Sequence, residues 1–590
     1  MSSTNFKLSV VTVSLLSAFA AKAETIPMYN VVPVDVSEAA PEIENSFSYN
    51  EVYGVAIQPT SADQMDQLTT LGCFSSDLGT VDCMNDFALA GEVRVRVDSV
   101  SMLDEAPFAM DASFGYIEDY DSFKSYCYRE LLYATCESWA STYWNAWRDV
   151  LNGVPNIQAF VENGDYSNSD FDNHITALLE DASPIGMQSN SAANSVYAPR
   201  RDITPVPFIA LDEESNIVDY RTWNQLNATN GYTYVIGSSS TVRNNTNGDH
   251  FVSKASVWSK NASDSDYSLQ RLDWPSGKDK DGERLAQGSI RDIVEMESGD
   301  IYAVGYNTYD NNNNYYGAYI FKLNEESNQF ANASRIAGAE IKNNDGDVVY
   351  SNTQLVSVNK QGVAIGESKL YGSRPENGAA ANKPFIVENI SSNPTAKYLQ
   401  SYGQSLFFSG VGADLGAINN LNELVGSIDA TQARENDGQP RRRRGFIYTV
   451  PESSSNNLSS PRAELFRGNA WLLDDLTNDG DENGANNKYR IIAASDINDA
   501  GVISATAIYC ADGYDDTTHN SYCGDRQGVE EVIAVKLVPN QLEDANFDGV
   551  PDELPTIMPR GVNDPPVDRQ GAGFGWLFLV ALAFLGFRRK

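Results

Sequence analysis

The chain has 590 residues, with 42 Lys and Arg set against 80 Asp and Glu for a net charge of −38. So acidic a surface repels nucleic acid and anionic lipid, which argues against a nucleic-acid partner and suits an extracellular protein that holds divalent cations. A hydrophobic share of 42% with 11% aromatics excludes a disordered chain and leaves material for a large core or several domains.

The N-terminus reads as a signal peptide over residues 1–23. Lys7 supplies the positive region, Leu8 to Ala21 a mostly apolar stretch, and Ala21 and Ala23 flank Lys22 in a small-x-small site for signal peptidase. Without this leader and without the basic tail (residues 574–590), five positive side chains are lost and the body carries −43.

A first β unit is expected over 24–120, with a degenerate repeat SYNEVYGVAI from Ser48. A helical insertion follows over 121–164. It has helix formers with no Gly or Pro before Gly153, and an aromatic stripe at Trp139, Tyr143 and Trp147. Such a stripe reads first as core and second as a sugar-stacking platform, as does the pair Tyr315 and Tyr316. Residues 165–204 are polar and rich in Ser and Asn, and read as a linker or long loop.

Residues 205–540 carry a recurring pattern: an apolar segment with Asn, a turn with Gly or Asn, an apolar strand ending in Gly, a loop, and a short aromatic strand. The clearest copies are SVNKQGVAIGES from Ser357, AINNLNELVGSI from Ala417 and DINDAGVISATA from Asp496, with looser ones from Leu226 and Ile293. The turn residues Gly231, Gly299, Gly362, Asn422 and Gly501 lie 68, 63, 60 and 79 apart. Units of that size fit four-stranded antiparallel blades, because one sheet cannot bury both faces unless it stacks on neighbours around an axis. The fold class is therefore all-β, a β-propeller-like array of about five or six antiparallel blade units with a small α-helical insertion. A β-sandwich array or β-solenoid is the alternative.

Six cysteines fall in three short-range pairs, Cys73 with Cys83, Cys127 with Cys136, and Cys510 with Cys523. In an exported chain these read as loop-clipping disulfides, and no pair has CxxC metal spacing. Cysteines nine apart cannot bond across one straight helix, so a bend is expected between Cys127 and Cys136. The three histidines, His174, His250 and His519, stand far apart in polar segments, which disfavours a triad or a His-rich metal centre. The basic run Arg441 to Arg444 reads as a solvated loop leading into a strand.

Residues 541–553 are a candidate Ca²⁺ loop. Asp544, Asn546, Asp548 and Asp552 place side-chain oxygens at positions 1, 3, 5 and 9, Gly549 makes the sharp turn, and Val550 offers its carbonyl. Its spacing is similar to that of the calcium loops of thrombospondin type 3 repeats, and Ca²⁺ there would be structural. The shorter acidic turns at Asp279, Asn344 and Asn478 read as hairpin turns.

After a stalk over 554–573 comes the apolar run Phe574 to Phe587, capped by Arg588, Arg589 and Lys590. Fourteen helical residues cover roughly 21 Å against a hydrocarbon core of about 30 Å, so the segment is a short membrane stop. Together with Gly571, Ala572 and Gly573 it resembles the GlyGly-CTERM sorting signal of Gram-negative exported proteins. That resemblance implies recognition by a rhomboid-type sorting protease and the type II secretion machinery, with display on the outer cell surface. The repeats resemble the HAF repeats of bacterial extracellular proteins, best at Ile497 to Gly501 and Ile418 to Asn420, an uncharacterised family.

The expected function is a secreted, surface-anchored binding or adhesion module for a glycan or protein ligand, held to the membrane by its tail. The alternatives are a glycan-degrading hydrolase or lyase on a propeller scaffold, or a structural envelope protein. No compact catalytic motif such as GxSxG or HExxH is present, which favours binding, and no catalytic residues can be assigned from the sequence.

Overall fold

A computed structural model describes residues 26–98, 119–164, 166, 172–189, 203–206, 217–245, 248–275, 286–309, 315–371, 374–435, 440–451, 461–543 and 551–562. The signal peptide, the Ca²⁺-loop positions Asp544 to Val550, the acidic turn at Asp279 and the tail lie outside them.

The five repeats form the five main blades of a β-propeller. Their first three strands are Ile217–Asn227, Tyr232–Asn245 and Gly248–Asn261 in blade 3; Gly288–Glu295, Ile301–Thr308 and Tyr316–Asn324 in blade 4; Val348–Val358, Ala364–Leu370 and Lys383–Val387 in blade 5; Ala413–Ile418, Glu423–Asp429 and Arg443–Thr449 in blade 6; and Tyr489–Ile497, Ile503–Cys510 and Glu530–Pro539 in blade 7. Outer strands such as Gln329–Arg335 in blade 4 complete four- or five-stranded antiparallel sheets. Two three-stranded groups stand between blade 7 and blade 3, the first continuous with blade 7 in one seven-stranded sheet and the second a sheet of its own. Blade 1 is Glu51–Ile57, Leu89–Arg94 and Ile157–Val161, and blade 2 is Asn173–Leu178, Pro184–Ser189 and Ile203–Val206. The stretch 165–204 therefore holds most of a sheet where a linker was expected. It was hidden because its turn lacks the Asn and Gly of the other repeats, although Gly186 keeps the strand glycine against the His174 carbonyl.

The ring closes through its ends. Tyr29–Pro33, expected within the first unit, pairs antiparallel with Glu530–Pro539 as the outermost strand of blade 7. The one ladder pair between blades 1 and 7 is a parallel bridge, Glu51 to Val532, beside which Gly54 and Ile57 donate their amides to Thr506 and Asp496. The apolar cores are layers between blades. One joins Ile236 and Val257 to Ile290 and Ile301, the next Val304 and Ile320 to Leu355 and Ala364, and another Val425 and Ile447 to Ile491 and Ala505. Each sheet therefore buries both faces only against its neighbours.

Each innermost strand carries a bulge at one equivalent place. Register shifts fall between Gly54 and Ala56, Ile175 and Ala177, Thr222 and Asn224, Ile290 and Asp292, Leu355 and Ser357, Leu415 and Ile418, and Ala494 and Asp496. A bulge bends the strand and re-aims a side chain, and here it allows polar links between blades. Asp292 accepts from Asn224 Nδ2 at 2.8 Å and from Ser357 Oγ at 2.9 Å. The glycine expected to end the second strand lies inside it, opposite the same bulge, where the backbone approach requires it. A Cβ at Gly366 would strike the carbonyl of Gln354, and one at Gly237 the carbonyl of Arg221.

The recurrent Asn also has a structural task. Asn359 Oδ1 accepts from the Val363 amide at 3.0 Å within its own turn, while its Nδ2 donates to the Asn419 carbonyl of the next blade at 2.9 Å. Asn419 repeats this with Glu423 and Asn498, and Asn498 with Val502 and Gln58, which carries the chain of contacts across the closure into blade 1. The signature that announces the repeat is thus a staple between blades.

The insertion between the second and third strands of blade 1 is helical over Tyr120–Tyr126 and Glu137–Leu151. Leu132, at φ 57°, breaks the path between them, and the expected bend brings Cys127 and Cys136 into a disulfide. Cys73 bonds Cys83 and Cys510 bonds Cys523, as expected from spacing. The stripe faces inward. Trp147 is buried with Phe123 and Tyr126, and Trp139 stacks on Tyr143 at 4.2 Å.

Candidate functional site

Alternation of strand direction sorts the connections onto two faces. The short Asn turns between first and second strands occupy one face and are committed to stapling blades. The loops between second and third strands, and the connectors between blades, share the other. That face holds the two helices of the insertion and residues 309, 315, 371, 374–382, 430–435, 440–442 and 511–529. Rooted in blade 1, the insertion reaches blade 5, where Glu130 pairs with Lys369 in a largely buried contact. It therefore crosses the face over the axis.

A cleft of about 490 Å³ opens on this face between blades 4 and 5. Tyr309 and Tyr315 come from the second-to-third loop of blade 4, Tyr319 from its third strand and Arg335 from its outer strand; Glu340 and Lys342 come from the connector to blade 5. The loop is closed by the Tyr309 amide donating to the Tyr315 carbonyl at 3.0 Å. Tyr371, 43% exposed, meets Tyr315 edge-on at 5.2 Å and extends the aromatic surface. The Arg335 guanidinium lies over the Tyr309 ring at 3.9 Å. Glu340 accepts from the Tyr309 hydroxyl and pairs with Lys342 at 3.2 Å. Burial and the hydrogen bond to Glu340 push the Tyr309 phenol well above its ordinary range, so it stays a neutral donor. The cleft is mainly polar: Tyr315 and Tyr319 are buried and Arg335 covers the Tyr309 ring, so it offers hydroxyls and two cations, and Glu340 is the one carboxylate among its lining residues. Of the aromatics singled out from sequence, Tyr315 lines it and Tyr316 packs behind against Tyr306 at 4.9 Å. Tyr309, Arg335 and Lys342 carried no sequence signal, since only the fold brings the loop and the connector together.

A second group lies where blades 5 and 6 meet. Burial, with the neighbouring charge of Asp414, pushes the Glu367 carboxyl up to about 8 although it accepts from the Leu415 amide at 2.7 Å. Arg443 pairs with Asp414 and, at 3.4 Å, with Asp429. The basic run is not a solvated loop. Arg441 is buried and donates to the carbonyls of Gly410 and Asn377, each at 2.6 Å. Arg444 is buried against Asp474 at 3.0 Å.

The two histidines with described side chains are engaged by carboxylates. His174 Nδ1 lies 3.0 Å from Glu92; burial pushes that carboxyl up, but Arg94 and His174 outweigh it and hold it at about 2. His519 lies 3.3 Å from Asp474 and 3.2 Å from Asp475, and Arg560 donates its amide to Asp475 at 2.6 Å, which docks residues 551–562 onto the propeller. Neither constellation supplies a serine or cysteine nucleophile. His250 has no described side chain. Asn344 to Asp347 form the expected turn, with Asn343 Oδ1 accepting from the Asp345 and Asp347 amides at 2.9 Å. Asn478 instead donates to the Met558 carbonyl at 2.8 Å. Among the described residues no group of three or more His, Cys, Asp or Glu is placed to hold a metal ion, and no helix is long and apolar enough to cross a membrane.

A family profile described as "Protein of unknown function (DUF3466)" matches residues 292–590, half of the chain and all of the cleft. The chain belongs to this family of proteins of unknown function (DUF3466). No curated protein matches the sequence. Solved structures with similarity include a protein of unknown function from Dyadobacter fermentans DSM 18053, at 10% identity over 64% of this chain and 87% of that one, with a TM-score of 0.30. A levansucrase mutant from B. megaterium shows 10% identity over 56% and 84%, at 0.27. An alpha-L-arabinanase mutant from Cellvibrio cellulosa shows 10% identity over 46% and 87%, at 0.23.

Proposed function

We propose that this DUF3466 protein is an exported propeller, displayed at the outer surface of a Gram-negative cell, that binds saccharide in the cleft between blades 4 and 5. The observation that carries the reading is the cleft: three tyrosines, two cations and one engaged carboxylate on the face that the blade staples leave free. The exposed ring of Tyr371 at the cleft's edge takes the apolar side of a pyranose, and the hydroxyls and charged tips of the cleft take its polar edge. Three disulfides and the two terminal segments support export, with signal peptidase, a rhomboid-type protease and the type II machinery as handling partners. In the same reading the Asp544 to Asp552 loop binds Ca²⁺ and stiffens the junction to the stalk, and the tail contacts the membrane before sorting.

A glycan-degrading hydrolase or lyase is the second reading. Glu367, whose carboxyl burial pushes up beside Asp414, favours it, since a general acid needs a raised pKa. Against it, Glu367 is only 5% exposed. Incubation of the purified body with a polysaccharide panel separates the readings. Retention without release supports binding, released reducing or unsaturated sugar would replace it with an enzyme, and no retention would leave a structural envelope protein.

A further inference from the structure

The helical insertion keeps a core of its own. Its two apolar clusters, one around Phe123, Tyr126 and Trp147 and one around Cys127, Tyr133 and Cys136, draw every described member from residues 120–151 and none from the propeller. The blades do the opposite, since each buries its faces against its neighbours. What ties the insertion down is charge: Arg96 pairs with Asp149 at 2.9 Å at its root, and Glu130 pairs with Lys369 of blade 5 at its tip. The root pair is open to water, whereas the Lys369 side chain is only 5% exposed. Tyr133, at the same tip, is buried, and that burial together with the charge of Glu435 from blade 6 pushes its phenol up. Gly153, at φ 74°, ends the second helix shortly before the strand Ile157–Val161 and supplies a short connection that absorbs rotation.

We propose that the insertion is a lid over the axial mouth of the loop face, hinged on blade 1, latched on blade 5 by Glu130 and Lys369, and closed in this structure. A body with its own core lifts without breaking the cores between blades. The latch suits such a motion. Burying both charges costs nearly what their attraction returns, and opening gives both back to water, so the closed and open forms lie close in free energy. Opening uncovers the Lys369 ammonium, which shares a strand end with Tyr371 at the edge of the cleft. It also clears the approach to Arg443, which pairs with Asp414 and Asp429. The lid does not depend on what the cleft binds.

The test is lysine acylation of the whole exported body by a water-soluble N-hydroxysuccinimide ester, read by mass spectrometry with no saccharide present. Lys536 of blade 7, 2% exposed and paired with Glu162 at 2.9 Å, reports opening of the propeller itself. Lys369 is expected to react roughly tenfold or more faster than Lys536, because a local opening costs less than a global one. Glu130→Leu strands the ammonium under the closed lid, and is expected to raise the Lys369 rate by about a hundredfold and leave the Lys536 rate where it was. Equal rates at the two lysines in the wild type would mean that the insertion leaves only when the propeller unfolds, which overturns the lid and needs no variant to show it. An unchanged Lys369 rate in Glu130→Leu would overturn the latch, and rates that rise together at both lysines would overturn the independent motion.

Discussion

Asn419 donates from its Nδ2 to the carbonyl of Asn498 at 3.1 Å, across the boundary between blades 6 and 7 and 79 residues apart in sequence. Its Oδ1 meanwhile accepts from the Leu421 and Glu423 amides, each at 3.0 Å. One buried side chain thus shapes a turn and joins two sheets. Asn419→Ala is expected to lower unfolding free energy by about 2 to 3 kcal/mol, since it leaves buried partners unsatisfied. Asn419→Asp keeps the acceptor but sets a carboxylate against the buried Glu423 carboxylate, to which Nδ2 donates at 2.7 Å, and is expected to cost at least as much. Denaturant unfolding measures both, and equal stability of all three proteins would remove the staple.

The close approach at the bulge makes a companion prediction. Gly366→Ala would push a Cβ into the Gln354 carbonyl and is expected to cost about 2 kcal/mol or more, in the range of overpacked cores. Blade 7 already has Ala505 at the equivalent place, so Ala505→Gly is expected to be nearly neutral at that contact, and the same unfolding series compares them.

Glu367 sets a pH dependence whose sign follows from burial. Its folded value near 8 stands above the ordinary 4.5, so between those values the folded chain holds a proton that the unfolded chain has lost. Its contribution to stability is fully present below pH 4.5 and is lost as pH rises towards and through 8. Glu367→Gln is therefore expected to flatten the fall of Tm across that window. Glu92 acts in the opposite sense. Held at about 2, it stabilises above its ordinary 4.5 and loses that contribution as pH falls towards 2. Tm profiles of wild type and Glu367→Gln that run parallel would contradict the assignment.

The insertion is anchored by Lys369 and Glu130, both largely buried. Removing one partner strands a buried charge, so Lys369→Met alone is expected to cost about 3 to 5 kcal/mol. The double variant Lys369→Met with Glu130→Leu is expected to recover most of that. Additive losses in the double-mutant cycle would mean that the two side chains do not act as a pair.

How much of this could be read from the chain depends on whether a residue acts locally. The Asn turns, the strand glycines and the aromatic third strands marked the blades because most of them repeat the same local geometry. The disulfide pairs were legible because short spacing limits the partners. Blade 2 was not, since its hairpin from His174 to Met187 builds its turn without those markers. The closing strand Tyr29–Pro33 was not either, because its partner lies at the far end of the array. Arg441 and Arg444 read as solvated because four adjacent arginines resemble a loop, and only the fold shows Gly410, Asn377 and Asp474 waiting for them. The cleft is the clearest case. Tyr315 was noticed as an aromatic, but Arg335 and Lys342 acquire a role only when blade 4 delivers them to the same rim.

The measurement that bears most directly on the account is a saccharide array probed with the exported body and with Tyr309→Ala, each first shown to unfold at the same temperature. The account predicts that the wild type retains a defined subset of glycans, released by neither heat-stable nor time-dependent cleavage, and that the variant loses that subset. Retention unchanged in Tyr309→Ala, or no retention by the wild type, would contradict it.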